Sequence, residues 1–199
     1  MEAETIVAEA LDLLKEEGLA GVTFRRLTTR LGVKAPAIYW RFANKQELLE
    51  AMAESILRER FADLAPLPDE DPWRPWLAGL LGRLRAALLA YPDGARVVTG
   101  ARPMSTPTLA GLAEHALSTL ERRGLDLSEA ATIVFTGFHY TFGHVIEEQD
   151  STGATEMDED TAARFADRFP TIARALSLGI RSGATSEDVY QAGLTRILA

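Results

Sequence analysis

Cysteine is absent from the chain. That excludes a disulfide scaffold, thiolate metal sites and cysteine nucleophiles, and it fits a reducing compartment. Long apolar runs are missing too: no uncharged stretch approaches the ~20 residues needed to span a bilayer. The opening MEAETIVAEALDLLKEEG is acidic and amphipathic, without the basic-then-apolar order of a signal peptide. A cytoplasmic protein without a membrane partner is therefore expected. Val/Ile/Thr alternation of useful length is lacking, so helical spacing governs the reading. No HExxH, glycine-rich phosphate loop or nucleophile elbow occurs. His139 and Glu147 stand eight residues apart, with Glu148 and Asp150 close by. Such a cluster is more often a solvated helix end than an acid–base pair, and no enzyme, cofactor or metal site is expected.

Positive charge is scarce overall, with 21 Lys and Arg against 29 Asp and Glu and a net charge of −8. It is also unevenly placed. Residues 23–46, TFRRLTTRLGVKAPAIYWRFANKQ, hold six Lys or Arg and no acid, which leaves −14 for the remainder. Phosphate repels such a body, so only this island can offset the repulsion. With 47% hydrophobic residues, the rest of the chain has ample material for a core.

The periodicity predicts an all-α protein of nine or ten helices. Ile6, Ala10, Leu13 and Leu14 mark one face of a first helix, ending at Gly18. Thr23 caps a second helix, with Leu27 and Leu31 inward and Gly32 closing it. Val33 anchors the turn, and Pro36 suits the first turn of a third helix, which buries Ile38 and Phe42. Asn44 and Glu47 form a capping-box pattern for a helix from Lys45 to about Phe61. The proline-rich, acidic APLPDEDP at 65–72 reads as a linker. Beyond it, helices are expected from Pro72 to Tyr91, around Ala95–Thr99, from Thr106 to Gly124 and from Ser128 to Gln149. Residues 150–160 read as a polar loop, followed by helix broken at Pro170 and a last helix from Ser186. The expected division is 1–46 as a helix-turn-helix head, 47–64 as a connecting helix, 65–72 as linker and 73–199 as a helical body.

Two short helices with a small residue between them make a helix-turn-helix, whose second helix enters the major groove. With Ile38 and Phe42 buried, the third helix is left to expose Lys34, Ala35, Pro36, Ala37, Tyr39, Trp40 and Arg41. The alanines permit close approach to bases, and Arg41 has the reach to donate twice to guanine. Thr23, Tyr39, Trp40 and Lys45 suit phosphate, and Arg25 can reach either. A solvated basic helix pair with Trp40 buried, or a helix-turn-helix used for protein contact, are the competing readings. Reading two half-sites of a palindromic duplex calls for a homodimer.

The run TFRRLTTRLGVKAPAIYWRFANKQELL resembles the N-terminal domain of the tetracycline repressor (TetR) family. YPDGARVVTGARP at 91–103, FHYTFGHVIEEQ at 138–149 and the terminal VYQAGLTRIL resemble the C-terminal domain of that family's drug-binding branch. The resemblance implies a ligand-responsive transcriptional repressor, released from operator DNA by a small-molecule inducer. It also implies dimerisation through a four-helix bundle, here Ser128–Gln149 and the helix from Ser186, with Leu194, Ile197 and Leu198 apolar. The implied pocket is Trp76, Leu80, Leu84, Val98, Arg102, Met104, Leu112, Ala116, Phe135, Phe138, His139 and Phe142. Departures from the branch are informative. Val98 stands where it has a magnesium-binding histidine, Ala101 replaces a threonine, and Phe61 and Leu80 replace polar drug contacts. Leu84 stands in place of a pocket aromatic, while His139 and Glu147 are retained. Valine cannot ligate a metal. A largely apolar inducer, oriented by His139, Arg102 or one of His115 and His144, is expected instead of magnesium–tetracycline.

Overall fold

The computed structural model describes residues 1–65, 67–68, 71–151 and 158–199, with Ile180 described by its backbone alone. Among these residues there are eleven α-helices, one 3-10 turn at Pro103–Ser105 and no strand. The described chain divides into two compact units, Met1–Gln149 and Asp150–Ala199.

In the first unit α1 (Ala3–Gly21) buries Ile6, Val7, Ala10, Leu11, Leu13 and Leu14. Its regular run ends at Gly18, as expected: that glycine takes φ 67° and ψ −173°, outside helical space, a conformation that favours a residue without Cβ, and a further short turn follows to Gly21. Next come α2 (Phe24–Leu31) and α3 (Ala35–Tyr39). The α4 helix (Lys45–Phe61) has the expected bounds, and the Asn44 side chain accepts from the Glu47 N–H. The reciprocal bond goes to the Ala43 N–H, at 2.8 Å from the Glu47 carboxylate. Of the predicted linker, Pro66, Asp69 and Glu70 lie outside the described residues. Three further helices, α5 (Trp73–Leu89), α6 (Gly94–Thr99) and α7 (Pro107–Arg122), follow.

The start of α8 (Leu127–Ser151) is set one residue earlier than expected. Asp126, not Ser128, supplies the cap, its carboxylate accepting from the Ser128 and Glu129 N–H groups at 2.9 and 3.0 Å. An acceptor ahead of the first turn satisfies donors that have no helical partner. The α4 helix packs on α1, α5, α6 and α7 and so ties the amino-terminal helices to the rest of this unit. At Gly137 of α8 an added Cβ would come within 2.7 Å of the Leu81 side chain of α5, so a larger residue there would require Leu81 to move.

In the second unit, α9 (Glu159–Arg168) packs on α10 (Pro170–Ser182), and α11 (Ser186–Ile197) carries a Thr185–Asp188 capping box. The predicted loop at 150–160 shrinks from both ends. Ser151 still belongs to α8, and Asp158 already caps α9 by accepting from the Thr161 N–H at 2.9 Å. Residues 152–157 lie outside the described residues. Among the described residues no helix is long and apolar enough to cross a membrane.

Candidate nucleic-acid interface and ligand pocket

The turn between α2 and α3 is built from three local interactions. Thr23 accepts from the Arg26 N–H at 3.3 Å, Gly32 takes the left-handed conformation at φ 65°, and the Val33 N–H bonds the Thr28 carbonyl at 3.0 Å. Ile38 is fully buried and Phe42 is 6% exposed. Each contributes about 1.5–3 kcal/mol by leaving water, which fixes the side of α3 that faces the core. Lys34, Ala35, Pro36, Ala37 and Tyr39 are consequently exposed, as are Arg25 and Lys45. Trp40 is 86% exposed rather than buried. The Tyr39 ring is steadied edge-on against Phe24 at 4.9 Å. Sequence reasoning did not single out Phe24, because its partner lies across a turn.

Arg41 is not on the third helix. The α3 helix ends at Tyr39, and the Arg41 and Phe42 N–H groups both fold back to the Ile38 carbonyl, at 2.9 and 3.0 Å, as the chain turns Phe42 into the core. Its guanidinium faces the chain start, with Nε donating to the Met1 carbonyl at 3.0 Å and Nη2 lying 3.6 Å from Glu2. Two other arginines of the basic island are likewise turned toward α1. Arg30 donates to Glu16 at 2.6 and 3.2 Å and also pairs with Glu9, and Arg26 pairs with Glu17. The hydrogen bond from Arg30 holds the Glu16 carboxyl below its ordinary range, and the same bond raises Arg30.

The predicted pocket residues fall into two groups. Leu80, Leu84, Val98, Leu112, Ala116 and Phe138 are all buried, on α5, α6, α7 and α8. Trp76 is half-buried, edge-on to His115 at 5.4 Å, and the His115 Nε2 is buried with no hydrogen-bond partner among the described residues. Phe142 stacks edge-on to Phe138 at 6.3 Å. Met104, Phe135 and His139 do not join them: Met104 is 95% and Phe135 43% exposed, and His139 is exposed as well. The expected stripe on α8 divides because its inward side is set by Ala130, Val134, Gly137, Phe138, Thr141 and Val145. That places Phe135 and His139 about 100° or more away from the centre of that face. An open concavity of about 530 Å³ lies beside Trp76, Leu80 and Arg83.

Arg102 is engaged elsewhere, in one of three clasps between α4 and the segment after α6. Gln46 Nε2 donates to the Gly100 carbonyl at 2.7 Å. Glu50 accepts from Arg102 at 2.6 and 3.2 Å. Glu54 accepts from the Thr108 N–H and hydroxyl at 2.9 and 2.6 Å. Glu50 is 4% exposed, and its carboxyl is lowered to about 2, chiefly by the Arg102 hydrogen bond. Asp93, at φ 57°, accepts from the Leu19 N–H at 2.8 Å and so fastens the α5–α6 corner to the kink in α1. The clasp residues escaped the sequence reading, although Gln46, Glu50 and Glu54 at intervals of four were a visible helical column.

Two family models match the chain: "Bacterial regulatory proteins, tetR family" over residues 6–52, and "Tetracyclin repressor-like, C-terminal domain" over residues 65–199. Tetracycline repressor protein class C of Escherichia coli is 36% identical over 199 residues, covering 100% of this chain and 89% of the relative. The structure of TetR-Q116A from Acinetobacter baumannii AYE in complex with minocycline is similar at TM-score 0.77 and 31% identity, covering 100% of this chain and 92% of that one. BioQ with its double-stranded DNA operator is similar at TM-score 0.67 and 30% identity, covering 76% of this chain and 88% of that one.

Proposed function

The chain belongs to the tetR family of bacterial regulatory proteins, and from that premise we propose a homodimeric repressor that a largely apolar small molecule releases from palindromic operator DNA. DNA binding and ligand response are the family's trade. The choice of ligand and the residues used are this chain's own.

One observation carries the DNA reading. Burial of Ile38 and Phe42 turns Ala35, Pro36, Ala37 and Trp40 outward on a capped helix-turn-helix. Small side chains let the helix backbone approach base edges, while Thr23, Tyr39, Trp40 and Lys45 grip phosphate beside Arg25 and Lys34. Two heads read half-sites about 34–36 Å apart. Residues 1–46 are the head, 47–64 the connecting helix, 65–72 the linker and 73–199 the body. Dimerisation through α8 and α11 is supported by large apolar side chains that each helix leaves exposed: Leu127 and Phe135 on α8, Val189 on α11. Leu194 and Leu198 are already buried within the chain and are not available for that interface.

The ligand reading rests on the apolar positions Phe61, Leu80, Leu84 and Val98, all buried. A pocket so lined favours a molecule that is mostly hydrocarbon or aromatic, with Trp76 to stack on and the His115 Nε2 as a waiting hydrogen-bond partner. Ligand that wedges α5 from α7 strains the clasps at Gly100, Arg102 and Thr108, and α4 carries the displacement to the head. Such a ligand must favour the released state; a ~10⁴-fold preference moves a 1:99 balance to 99:1.

The test is selection of a duplex from a random library, followed by displacement with a panel of aromatic and aliphatic molecules. Release by an apolar compound, unaffected by EDTA and weakened in Trp76→Ala, is expected. Release by magnesium–tetracycline that EDTA abolishes would overturn the ligand reading. Duplex affinity insensitive to salt would instead favour a protein-contact module.

A further inference from the structure

The basic island is less available than its composition suggests. Residues 1–46 hold seven basic and six acidic side chains, and every acid lies within the first 17 residues. Glu2, Glu9 and Glu16 recur at intervals of seven, which keeps them on one stripe of a helix with a drift of ~20° per repeat. This stripe meets the arginines. Glu2 faces Arg41, Glu9 and Glu16 share Arg30, and Glu17 beside them pairs with Arg26. Arg30 is served by two carboxylates, through Nε and through its Nη fork. Among the described residues, Arg25, Lys34 and Lys45 make no ion pair and all three are exposed.

Resting on the DNA-binding reading above, we propose that the acidic stripe of α1 is a built-in counterion that withdraws Arg26, Arg30 and Arg41 from the DNA backbone, so that Arg25, Lys34 and Lys45 are the only cations with which each head grips phosphate. Exposed ion pairs are individually weak, and an arginine can swing from its carboxylate to a phosphate. The carboxylate cannot follow. It is fixed to α1 by the helix backbone, so every arginine that leaves exposes an anion next to the duplex. The head's local charge is unchanged by the exchange, and the electrostatic gain is largely cancelled. Sequence-independent affinity is thereby held low, and the base-edge contacts of α3 supply a larger share of the total. For an acidic regulator searching a genome, the ratio of specific to non-specific binding matters more than grip.

The salt dependence of binding to a random-sequence duplex reads this directly. Each phosphate neutralised adds about −0.9 to the slope of log K against log salt. Six cations in the dimer give a slope of about −5.4, and twelve would give about −11. Between about 50 and about 200 mM salt the first corresponds to roughly 10³-fold loss of affinity. We expect the shallow slope. Arg26→Gln, Arg30→Gln and Arg41→Gln each leave it unchanged, whereas Lys34→Gln and Lys45→Gln each reduce it by about 1.8 per dimer. Replacing Glu2, Glu9, Glu16 and Glu17 together by Gln steepens it toward about −11 and tightens low-salt binding. A native slope near −11, or a drop of about 1.8 on removing any of the three arginines, overturns the proposal while leaving DNA binding intact. The arginine variants decide the matter even if the fourfold variant fails to fold. Absence of any salt-sensitive binding would remove the DNA-binding reading itself.

Discussion

Trp40 exposes 86% of its surface, so the fold gains little from it. Trp40→Ala should shift stability by no more than about 0.5 kcal/mol. It should weaken binding to operator and to random duplex by a similar factor, as a phosphate contact does; calorimetry and fluorescence anisotropy check the two halves. Glu50 makes the opposite case, with its value in the fold. Its folded carboxyl titrates at about 2 because Arg102 donates to it, against ~4.3 for an unperturbed glutamate. A depressed value means stability that is present above the unfolded value and lost as pH falls toward the folded one. Glu50→Gln should therefore lower Tm at pH 7, with the gap to the native protein closing between about pH 5 and about pH 2. A gap that persists at pH 2 would mean that Arg102 is not the cause. Arg41 was legible in sequence as a cation but not as a tethered one, because Met1 and Glu2 lie forty residues back along the chain.

The helices were legible almost to the residue where a cap or a stop is chemical: Thr23, Gly32, Asn44 and Pro107 mark ends that the structure keeps. At Tyr39 tertiary packing overrode local preference, the helix ending early to bury Phe42. The α5–α6 corner is the tightest joint. A Cβ added at Gly94 would lie 2.2 Å from the Leu88 carbonyl oxygen, and backbone cannot yield as a side chain does. Gly94→Ala should cost about 1–3 kcal/mol and slacken the Asp93–Leu19 bond, seen as faster amide exchange at Leu19. Gly32→Ala, at φ 65° with open space around it, should cost about 1–2 kcal/mol from backbone strain alone. Equal stability in either variant would show that the corner or turn relaxes freely.

For the whole molecule, the proposed function depends on two copies. Val189 on α11 is 52% exposed, and a charge at such a site within an interface is costly. Val189→Asp should shift sedimentation toward monomer and reduce operator affinity by more than it reduces binding to a single half-site. An unaltered dimer would move the interface off that face of α11. The amino-acid sequence alone determined the helical class and the capped helix-turn-helix, since both are written in local spacing. Only the tertiary structure decided which cations are already paired, that Met104, Phe135 and His139 stand outside the buried apolar group, and that Gln46, Glu50 and Glu54 clasp the segment after α6. Those facts depend on which distant stretches of backbone come within hydrogen-bond reach, and local periodicity carries no record of that.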